Sequence, residues 1–310
     1  MRIGSLCSGY GGLDMAVEAY YNAETVWMSD LDKYSSKVIT ERWGLPNLGD
    51  LKIVDWASVE PIDILTAGYP CQPFSQAGQR KGSKDERHIW PYIKNIISQL
   101  RPNRVILENV RGHLTLGFKE VLADLTQIRY DAKWSIVRAS DVGAPHQRAR
   151  LFVVAYPNSS SHNQSRRTNR TVSQSTGQII DWSDWDEHRH SSSFVTDANN
   201  SRRFWDAQGS PGGLDSRTTS HSYNNEQQGD WKTPGLGSRF NSLDQMRLQT
   251  PPNPLDLNNK LNAEFVEYMM GLPVGWVTGL DISRAQQLKL LGNGVVPQQA
   301  YYAIDKLERL

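Results

Sequence analysis

Short apolar runs rich in β-branched residues alternate with helical patterns through the first half of the chain. Six such runs are predicted strands: Ile3–Cys7, Thr25–Met28, Ile62–Ala67, Arg104–Leu107, Lys133–Arg138 and Arg150–Tyr156. Between them, apolar residues at helical spacing predict helices over Leu13–Tyr21 and Pro91–Leu100. Because parallel neighbours need long crossover connections, this alternation predicts an α/β domain with a mainly parallel sheet.

The composition changes at Pro157, where a polar stretch begins that lasts to about Asn253. Helical patterns return over Ala263–Met270 and Pro297–Leu310. We therefore predict two domains, one from residues 1–156 and 256–310 and a smaller, loop-rich one from residues 157–255. A disordered linker is the alternative for the polar stretch. Its large aromatic side chains favour a folded domain: Trp182, Trp185, Phe194, Phe204, Trp205, Trp231 and Phe240.

Composition limits the classes of function. No apolar run approaches the roughly 18 to 20 residues that span a bilayer. Met1 leads directly into a motif without room for a leader, so we expect a cytoplasmic protein with no membrane segment. The net charge of +1 lacks the basic excess of many nucleic-acid-binding proteins. Cys7 and Cys71 are the only cysteines and lack the paired spacing of a zinc or dithiol site, so we predict no metal.

A glycine-rich turn follows the first predicted strand and opens the first helix. Small residues surround one tyrosine in this turn, which consists of Ser8, Gly9, Tyr10, Gly11 and Gly12. Small side chains let a nucleotide-like ligand approach the backbone. Asp30, just after the second strand, and Asp50, expected after a third, can accept hydrogen bonds from ribose hydroxyls and an exocyclic amine. A tight connection and two helix caps are the structural alternatives.

Cys71 lies in a polar loop just beyond the strand that ends at Ala67. Ligands of open α/β sheets bind outside the carboxyl ends of the strands, and the flanking Pro70 and Pro73 stiffen the loop. An isolated cysteine is usually an inert core residue. The polar setting of Cys71 favours a nucleophile instead.

Two further clusters lie at strand ends. Glu108 and Asn109 follow Leu107, where a carboxyl beside the cysteine loop can donate or share a proton. Arg148 and Arg150 stand at alternate positions of the sequence, and two arginines so spaced can point one way from a strand, toward a phosphate, a carboxylate or a base oxygen. A buried ion pair is the alternative for Glu108, and a solvated edge is the alternative for the arginines.

In this order the clusters resemble the motif series of the cytosine carbon-5 DNA methyltransferases, of the restriction-modification or phage type. The shared motifs run nearly from end to end of the chain: Pro70-Cys71-Gln72, Glu108-Asn109-Val110, Arg148-x-Arg150, Met270-Gly271-Leu272-Pro273 and Gly292-Asn293-Gly294-Val295. The resemblance implies a Rossmann-like methyltransferase domain that uses S-adenosylmethionine. It also implies that residues 157–255 form the target recognition domain.

The resemblance implies a role for each matching residue. Cys71 would attack carbon 6 of a cytosine flipped out of duplex DNA, because carbon 5 becomes nucleophilic only after that addition. Glu108 would be protonated near ring nitrogen 3, and Asn109 would brace the cysteine loop. Arg150 would hold the carbonyl oxygen of the base, while Arg148 would favour the thiolate and a phosphate.

The resemblance also assigns the S-adenosylmethionine contacts, which would come from eleven residues: Ser8, Gly9, Gly11, Gly12, Asp30, Leu31, Asp50, Leu51, Pro70, Asn293 and Val295. Asp30 would bind the ribose, and Leu31, Asp50 and Leu51 would surround the adenine. Family members often have aromatic residues where this chain has Cys7 and Leu31, and often glutamine in place of His146. Adenine packing is therefore expected to be weaker or rearranged.

Double-stranded DNA is the implied partner, with a separate cognate restriction endonuclease as a further candidate, and the family usually acts as a monomer. The candidate DNA contacts are polar and basic side chains: Gln72, Ser75, Arg166, Arg167, Arg170, Arg202, Arg203 and Arg239. Residues 157–255 contain ten Lys or Arg and ten Asp or Glu, so a DNA-facing surface there requires the charges to be sorted in space.

Three other functions are weighed against this one. An RNA cytosine methyltransferase of the same fold shares the core chemistry, and the long polar segment favours a reader of duplex DNA. A methyltransferase acting on exocyclic amines would carry an acidic or amide residue before Pro-Pro-aromatic, which the stretch from Gly68 to Cys71 lacks. A catalytically silent DNA-binding protein would have no reason to keep Cys71, Glu108, Arg148 and Arg150 together.

Overall fold

A six-stranded sheet forms the centre of the part of the chain that the structure describes. The computed structural model describes residues 1–70, 89–158 and 251–310. The strands are β1 (Arg2–Leu6), β2 (Glu24–Ser29), β3 (Ile64–Gly68), β4 (Arg104–Val110), β5 (Tyr130–Val137) and β6 (Arg150–Pro157). They lie in the order β2-β1-β3-β4-β6-β5, and only β6 runs against its neighbours. The prediction of a mainly parallel sheet is confirmed.

Seven α-helices accompany the sheet within the described residues. They are α1 (Gly12–Tyr21), α2 (Lys33–Trp43), α3 (Trp90–Leu100), α4 (Phe118–Gln127), α5 (Ala263–Met269), α6 (Arg284–Asn293) and α7 (Pro297–Glu308). Short 3-10 turns cover Arg111–Leu114 and Ala139–Val142. All four helices named from the sequence are present, whereas α2, α4 and α6 were not predicted.

Alternating strand residues divide the core into one layer on each side of the sheet. In β4, Val105 and Leu107 pack with α3 and α4, while Ile106 packs with α1 and α7. In β6, Leu151 and Val153 share the first layer, while Phe152 and Val154 share the second. Both faces of the sheet are therefore covered by helices, as expected for strands that read as continuous apolar runs.

The C-terminal residues return to the sheet. Ala300, Ala303, Ile304 and Leu307 of α7 are fully buried, and they pack in the same layer as α1. A third cluster joins the glycine-rich turn to this C-terminal part through Tyr10, Trp276 and other buried side chains. The chain therefore brings its two ends together at one side of the sheet.

Glu267 organises the connection that follows α5. Its side chain is 2% exposed and accepts hydrogen bonds from the backbone amides of Gly275 (2.7 Å), Val277 (2.5 Å) and Thr278 (2.9 Å), and from the Thr278 hydroxyl (2.7 Å). A buried carboxylate is stable there because converging donors replace its water shell.

Replacing this carboxylate by an amide is expected to destabilise the fold. In Glu267→Gln the amide NH2 faces backbone N–H groups, so at least one buried donor loses its acceptor. We expect the free energy of unfolding to fall by about 2 to 4 kcal/mol. Urea unfolding measures this, with Glu264→Gln as the control because Glu264 lies exposed on the same helix. Equal stabilities for the two variants would contradict this account.

No helix in the described ranges combines the length and the apolar character needed to cross a membrane. Most of the segment 157–255 lies outside those ranges, so its assignment as a separate domain stays a prediction. The part that is described shows β6 continuing to Pro157 and a β-bridge between Leu255 and Leu261.

Candidate active site

Several of the predicted site residues that the structure describes lie at one edge of the sheet, because the carboxyl ends of parallel strands meet there. β1 leads into the glycine-rich turn, β2 into Asp30, and β3 into Tyr69 and Pro70. Glu108 and Asn109 lie near the end of β4. β6 runs the other way, so its first residue, Arg150, starts at this same edge.

Glu108 and Arg150 form an ion pair on one side of the sheet. Arg150 lies opposite Val110 in the β4–β6 register, and Glu108 is two residues from Val110, so both side chains project from the same face. The Arg150 Nε atom is 3.0 Å from Glu108 Oε1. Gly68 is the register partner of Glu108 on β3, and a Cβ at Gly68 would lie 3.6 Å from Glu108 Oε2.

Burial gives the Glu108 carboxyl an unusual pKa. Its side chain is buried, and the loss of water raises the pKa from 4.5 to about 7, although Arg150 and Arg148 act in the opposite direction. Desolvation therefore outweighs the two cations. A carboxyl poised near neutral pH can hold a proton and release it, which is what a general acid requires.

Asn109 braces the backbone from which the cysteine loop emerges. Its Nδ2 donates to the Tyr69 carbonyl oxygen at 3.0 Å, and the side chain is 3% exposed. The Tyr69 hydroxyl donates to His113 Nε2 (2.9 Å), since His113 Nδ1 donates to the Leu116 carbonyl (2.9 Å). This arrangement needs a neutral imidazole, and burial lowers the pKa of His113 accordingly.

Arg148 does not belong to the strand, so the expectation that the two arginines alternate along it is wrong. β6 begins at Arg150, and Arg148 precedes it with a backbone φ of +36°. The Arg148 carbonyl accepts a hydrogen bond from Gln299 Nε2 (2.8 Å), which fixes the backbone outside the strand conformation. Its guanidinium donates to the carbonyl oxygens of Gly292 (2.8 Å) and Gly294 (2.6 Å).

The glycine-rich turn is tied to the end of β2. The Gly9 amide donates to Asp30 Oδ2 at 2.8 Å, and Asp30 Oδ1 accepts from the Asp32 amide at 2.8 Å. Burial raises the pKa of Asp30 despite these hydrogen bonds. The Ser35 hydroxyl is a third donor, and since a carboxylate offers about four lone-pair sites, Asp30 can still accept from a ligand hydroxyl.

Asp50 is not preceded by a third strand, contrary to the expectation from the sequence. It lies in a turn between α2 and β3, where its Oδ1 accepts from the Lys52 amide (3.0 Å). Leu51 is 7% exposed and packs in the core, so its side chain offers little surface to a ligand. Leu31 and Ile53 are 78% and 82% exposed, and Ile53 is an apolar candidate that the sequence analysis missed.

Two further buried residues, one within the turn and one just after it, make contacts that the sequence did not predict. Tyr10 is fully buried, and its hydroxyl donates to the Val295 carbonyl at 2.6 Å. Asp14 is fully buried on α1, accepts from the Thr66 hydroxyl, and has its pKa raised by burial to about 6. Their signal in the sequence was weak, because a tyrosine in a glycine-rich turn and an aspartate in a first helical turn both have ordinary surface roles.

Several predicted site residues lie outside the described residues, and their assignments stay predictions: Cys71, Gln72, Ser75, Arg166, Arg167, Arg170, Arg202, Arg203 and Arg239. Pro70, the last described residue before Cys71, is exposed at the end of the segment that follows β3. Across the described ranges, no group of three or more His, Cys, Asp or Glu side chains is arranged to hold a metal ion.

Comparison with known proteins identifies the family. The model of the C-5 cytosine-specific DNA methylase family matches residues 1–309. The chain belongs to this family. The match covers both the β3–β4 edge with Glu108 and the returning C-terminal segment, so the whole motif series belongs to one methylase chain.

Curated relatives of this methylase are type II methyltransferases. M.NlaX of Neisseria lactamica is 34% identical over 189 residues, which cover 58% of this chain and 59% of that protein. M1.ScrFI of Lactococcus lactis subsp. cremoris is 32% identical over 165 residues, covering 52% of this chain and 42% of that protein. The chain spans about half the length of the curated relatives it matches.

Solved structures share the methylase fold over nearly the whole chain. The Dnmt2 methyltransferase of S. pombe superposes with a TM-score of 0.58 at 20% identity, covering 100% of this chain and 98% of that one. The methyltransferase EhMeth of Entamoeba histolytica gives 0.57 at 16% identity, covering 99% and 98%. At these identities the likeness concerns the fold.

Methyltransferases of this family depend on S-adenosylmethionine, and the residues at this edge fit that molecule. Asp30 and Asp50 supply carboxylate acceptors for hydroxyl and amino groups, and Leu31 and Ile53 supply exposed apolar surface. Asn293 is exposed at the end of α6, next to the buried Val295. These donors, acceptors and apolar side chains correspond to the parts of a nucleoside joined to an amino acid.

Proposed function

We propose that the protein transfers a methyl group from S-adenosylmethionine to carbon 5 of a cytosine flipped out of duplex DNA. The observation that carries this proposal is the ion pair between the buried Glu108 and Arg150 at the sheet edge, since the backbone leading to Cys71 emerges from the neighbouring strand. S-adenosylmethionine supplies an electrophilic methyl group to this site.

Cys71 begins the reaction as a thiolate. Its sulfur forms a bond to carbon 6 of the cytosine, and the electron pair of the 5,6 double bond moves into the ring toward nitrogen 3. Glu108 gives its proton to nitrogen 3, so the ring does not carry the negative charge. Carbon 5 is then enamine-like and forms a bond to the methyl carbon, while the bond from that carbon to the donor's sulfonium sulfur breaks and leaves its electron pair on sulfur, as S-adenosylhomocysteine.

The product leaves by the reverse elimination. Carbon 5 loses its proton to a base, the bond between carbon 6 and the sulfur breaks, and nitrogen 3 returns its proton to Glu108. Arg150 pairs with Glu108, and in this proposal its guanidinium also donates to the carbonyl oxygen of the base. Asn109 fixes the Tyr69 carbonyl, two residues before the nucleophile.

Residues 157–255 act as the target recognition domain in this proposal, with the arginines named above as phosphate or guanine contacts. Recognition of bases in the major groove requires side chains that reach base edges, which a loop-rich insert can supply. The enzyme works as a monomer, and a cognate restriction endonuclease, where one accompanies it, acts separately.

The proposal is tested by incubating the purified protein and methyl-labelled S-adenosylmethionine with mixed-sequence duplex DNA, and in parallel with structured RNA. Nucleoside analysis of the DNA is expected to give labelled 5-methylcytosine, and sequencing of the product then gives the target. Label in RNA cytosine alone would replace the proposal by the RNA enzyme. Label in neither substrate, with intact binding of S-adenosylhomocysteine, would refute methyl transfer to cytosine.

A further inference from the structure

The segment Gly292–Val295, which joins α6 to α7, is held by side chains from two distant parts of the chain. Arg148 donates from one guanidinium nitrogen, Nη2, to the carbonyl oxygens of Gly292 and Gly294. Tyr10 donates from its hydroxyl to the carbonyl of Val295. The last carbonyls of a helix have no partner within it, so a cation at the end of α6 both satisfies them and complements the helix dipole.

Arg148 is itself fixed in an uncommon backbone conformation. Its φ of +36° is rare for a residue with a side chain, and such a conformation persists where the surroundings impose it. Gln299 Nε2 donates both to the Arg148 carbonyl and to the Val137 carbonyl at 2.8 Å, and so it ties the Arg148 backbone to the end of β5. The Arg148 Nε atom is buried and has no hydrogen-bond partner among the described residues.

The segment also fits closely against the glycine-rich turn. A Cβ at Gly294 would lie 1.9 Å from the ring of Tyr10, and a Cβ at Gly12 would lie 2.1 Å from the Val295 carbonyl oxygen. Trp276 Nε1 adds a hydrogen bond to the Tyr10 carbonyl at 3.0 Å. The segment therefore packs directly against the Tyr10 ring and the Gly12 backbone, with no space for a side chain at Gly294 or Gly12.

We propose that Arg148 is a positioning residue for the methyl donor, which acts through Gly292–Val295 and does not contact the target DNA. The inference rests on the proposed function. Arg148 and Tyr10 together hold the carbonyls on both sides of Asn293, and so they fix the segment against the turn before the donor binds. Arg150 has a separate task, because its guanidinium pairs with Glu108.

Loss of the guanidinium leaves two helix-end carbonyls without their donor and gives the segment alternative conformations. The donor then binds only the fraction of molecules in which the segment is correctly placed, so its apparent dissociation constant rises by the inverse of that fraction. Two lost charge-assisted hydrogen bonds correspond to roughly a 10- to 100-fold change.

The test measures S-adenosylhomocysteine binding and duplex DNA binding separately on the full-length protein. Arg148→Met keeps most of the side-chain volume and is expected to weaken S-adenosylhomocysteine binding by about 10- to 100-fold, with duplex affinity unchanged. Arg129→Met is the matched control, because Arg129 also has a positive φ but is exposed at the start of β5. Arg129→Met should bind S-adenosylhomocysteine and duplex DNA with wild-type affinity.

Tyr10→Phe provides a second variant, which removes one oxygen atom and leaves the ring in place. It should also weaken S-adenosylhomocysteine binding, and in the double variant with Arg148→Met the two effects should not add, since both groups hold one segment. If Arg148→Met does not fold, the S-adenosylhomocysteine affinity of Tyr10→Phe alone tests the inference.

Two results would overturn the inference. Unchanged S-adenosylhomocysteine affinity in Arg148→Met with a loss of duplex affinity would make Arg148 a DNA contact. Unchanged S-adenosylhomocysteine affinity in Tyr10→Phe would show that the segment is not held for the donor. Failure of the proposed function looks different, because the wild-type protein itself would then produce no labelled 5-methylcytosine in duplex DNA, whatever the S-adenosylhomocysteine affinities of the variants.

Discussion

Cys71→Ala is expected to lower methyl transfer to cytosine by at least roughly 10⁴-fold. Without addition of a thiolate to carbon 6, carbon 5 of the aromatic ring is too weak a nucleophile to take the methyl group. Among the described residues at the sheet edge, Glu108 and Arg150 cannot replace the sulfur, since they are an acid and a cation. Transfer of labelled methyl to duplex DNA, followed by nucleoside analysis, measures the loss.

The control for Cys71→Ala is ligand binding. The variant should bind S-adenosylhomocysteine as wild type does, because alanine removes one sulfur atom and no backbone contact. Duplex DNA with 5-fluorocytosine at the target should form a covalent complex with wild type, since fluorine at carbon 5 cannot leave as a proton does. Cys71→Ala should form none. Methylation that survives in the variant would exclude the covalent route.

The two cysteines of the chain differ in their expected reactivity. Cys7 lies at the end of β1 with a φ of +53°, and burial together with Asp30 raises the pKa of its thiol. A buried thiol with a raised pKa is a poor nucleophile. The covalent complex should therefore map to the peptide with Cys71 after digestion, and never to the one with Cys7.

The sheet and the edge that carries the site were accessible from the sequence because of their regular patterns. All six strands follow from apolar runs, and Glu108 could be placed at a strand end from Val105, Ile106 and Leu107 alone. Helix α2 was not predicted, since its β-branched and serine residues obscure the helical spacing of its apolar residues. Its end signals are nevertheless present, as Asp32 accepts from the Tyr34 amide and Gly44 has a φ of +67°.

The direction of β6 and the partners of Arg148 could not be read from the sequence. An apolar run has the same pattern in either direction, so Arg150 was placed on the correct strand without knowledge that this strand starts at the site edge. Arg148 has its partners at Gly292 and Gly294, which are glycines and offer only backbone carbonyls. Carbonyl acceptors carry no signature in a sequence, and long-range contacts of this kind appear only in the folded chain.

Glu108→Gln is expected to lower kcat/KM for methyl transfer by about 10²- to 10⁴-fold. Glutamine keeps the shape of the side chain and can donate a hydrogen bond to ring nitrogen 3, but it cannot transfer a proton there. Because burial raises the pKa of Glu108 to about 7, wild-type kcat/KM should fall as the pH rises through that value, when the acid loses its proton. The fall should be absent in Glu108→Gln, and a pH series of initial rates measures both.

The raised pKa of Glu108 also predicts how the stability of the protein changes with pH, which can be measured without substrate. The folded state holds the Glu108 proton more tightly than the unfolded chain, whose carboxyl has the ordinary pKa of 4.5, so ionisation works against folding. Wild type should lose stability relative to Glu108→Gln as the pH rises from 4.5 to about 7, and the difference should be constant above that. The total is about 3 kcal/mol. A difference independent of pH would mean that Arg150 keeps Glu108 ionised throughout, and Glu108 could not then be the acid.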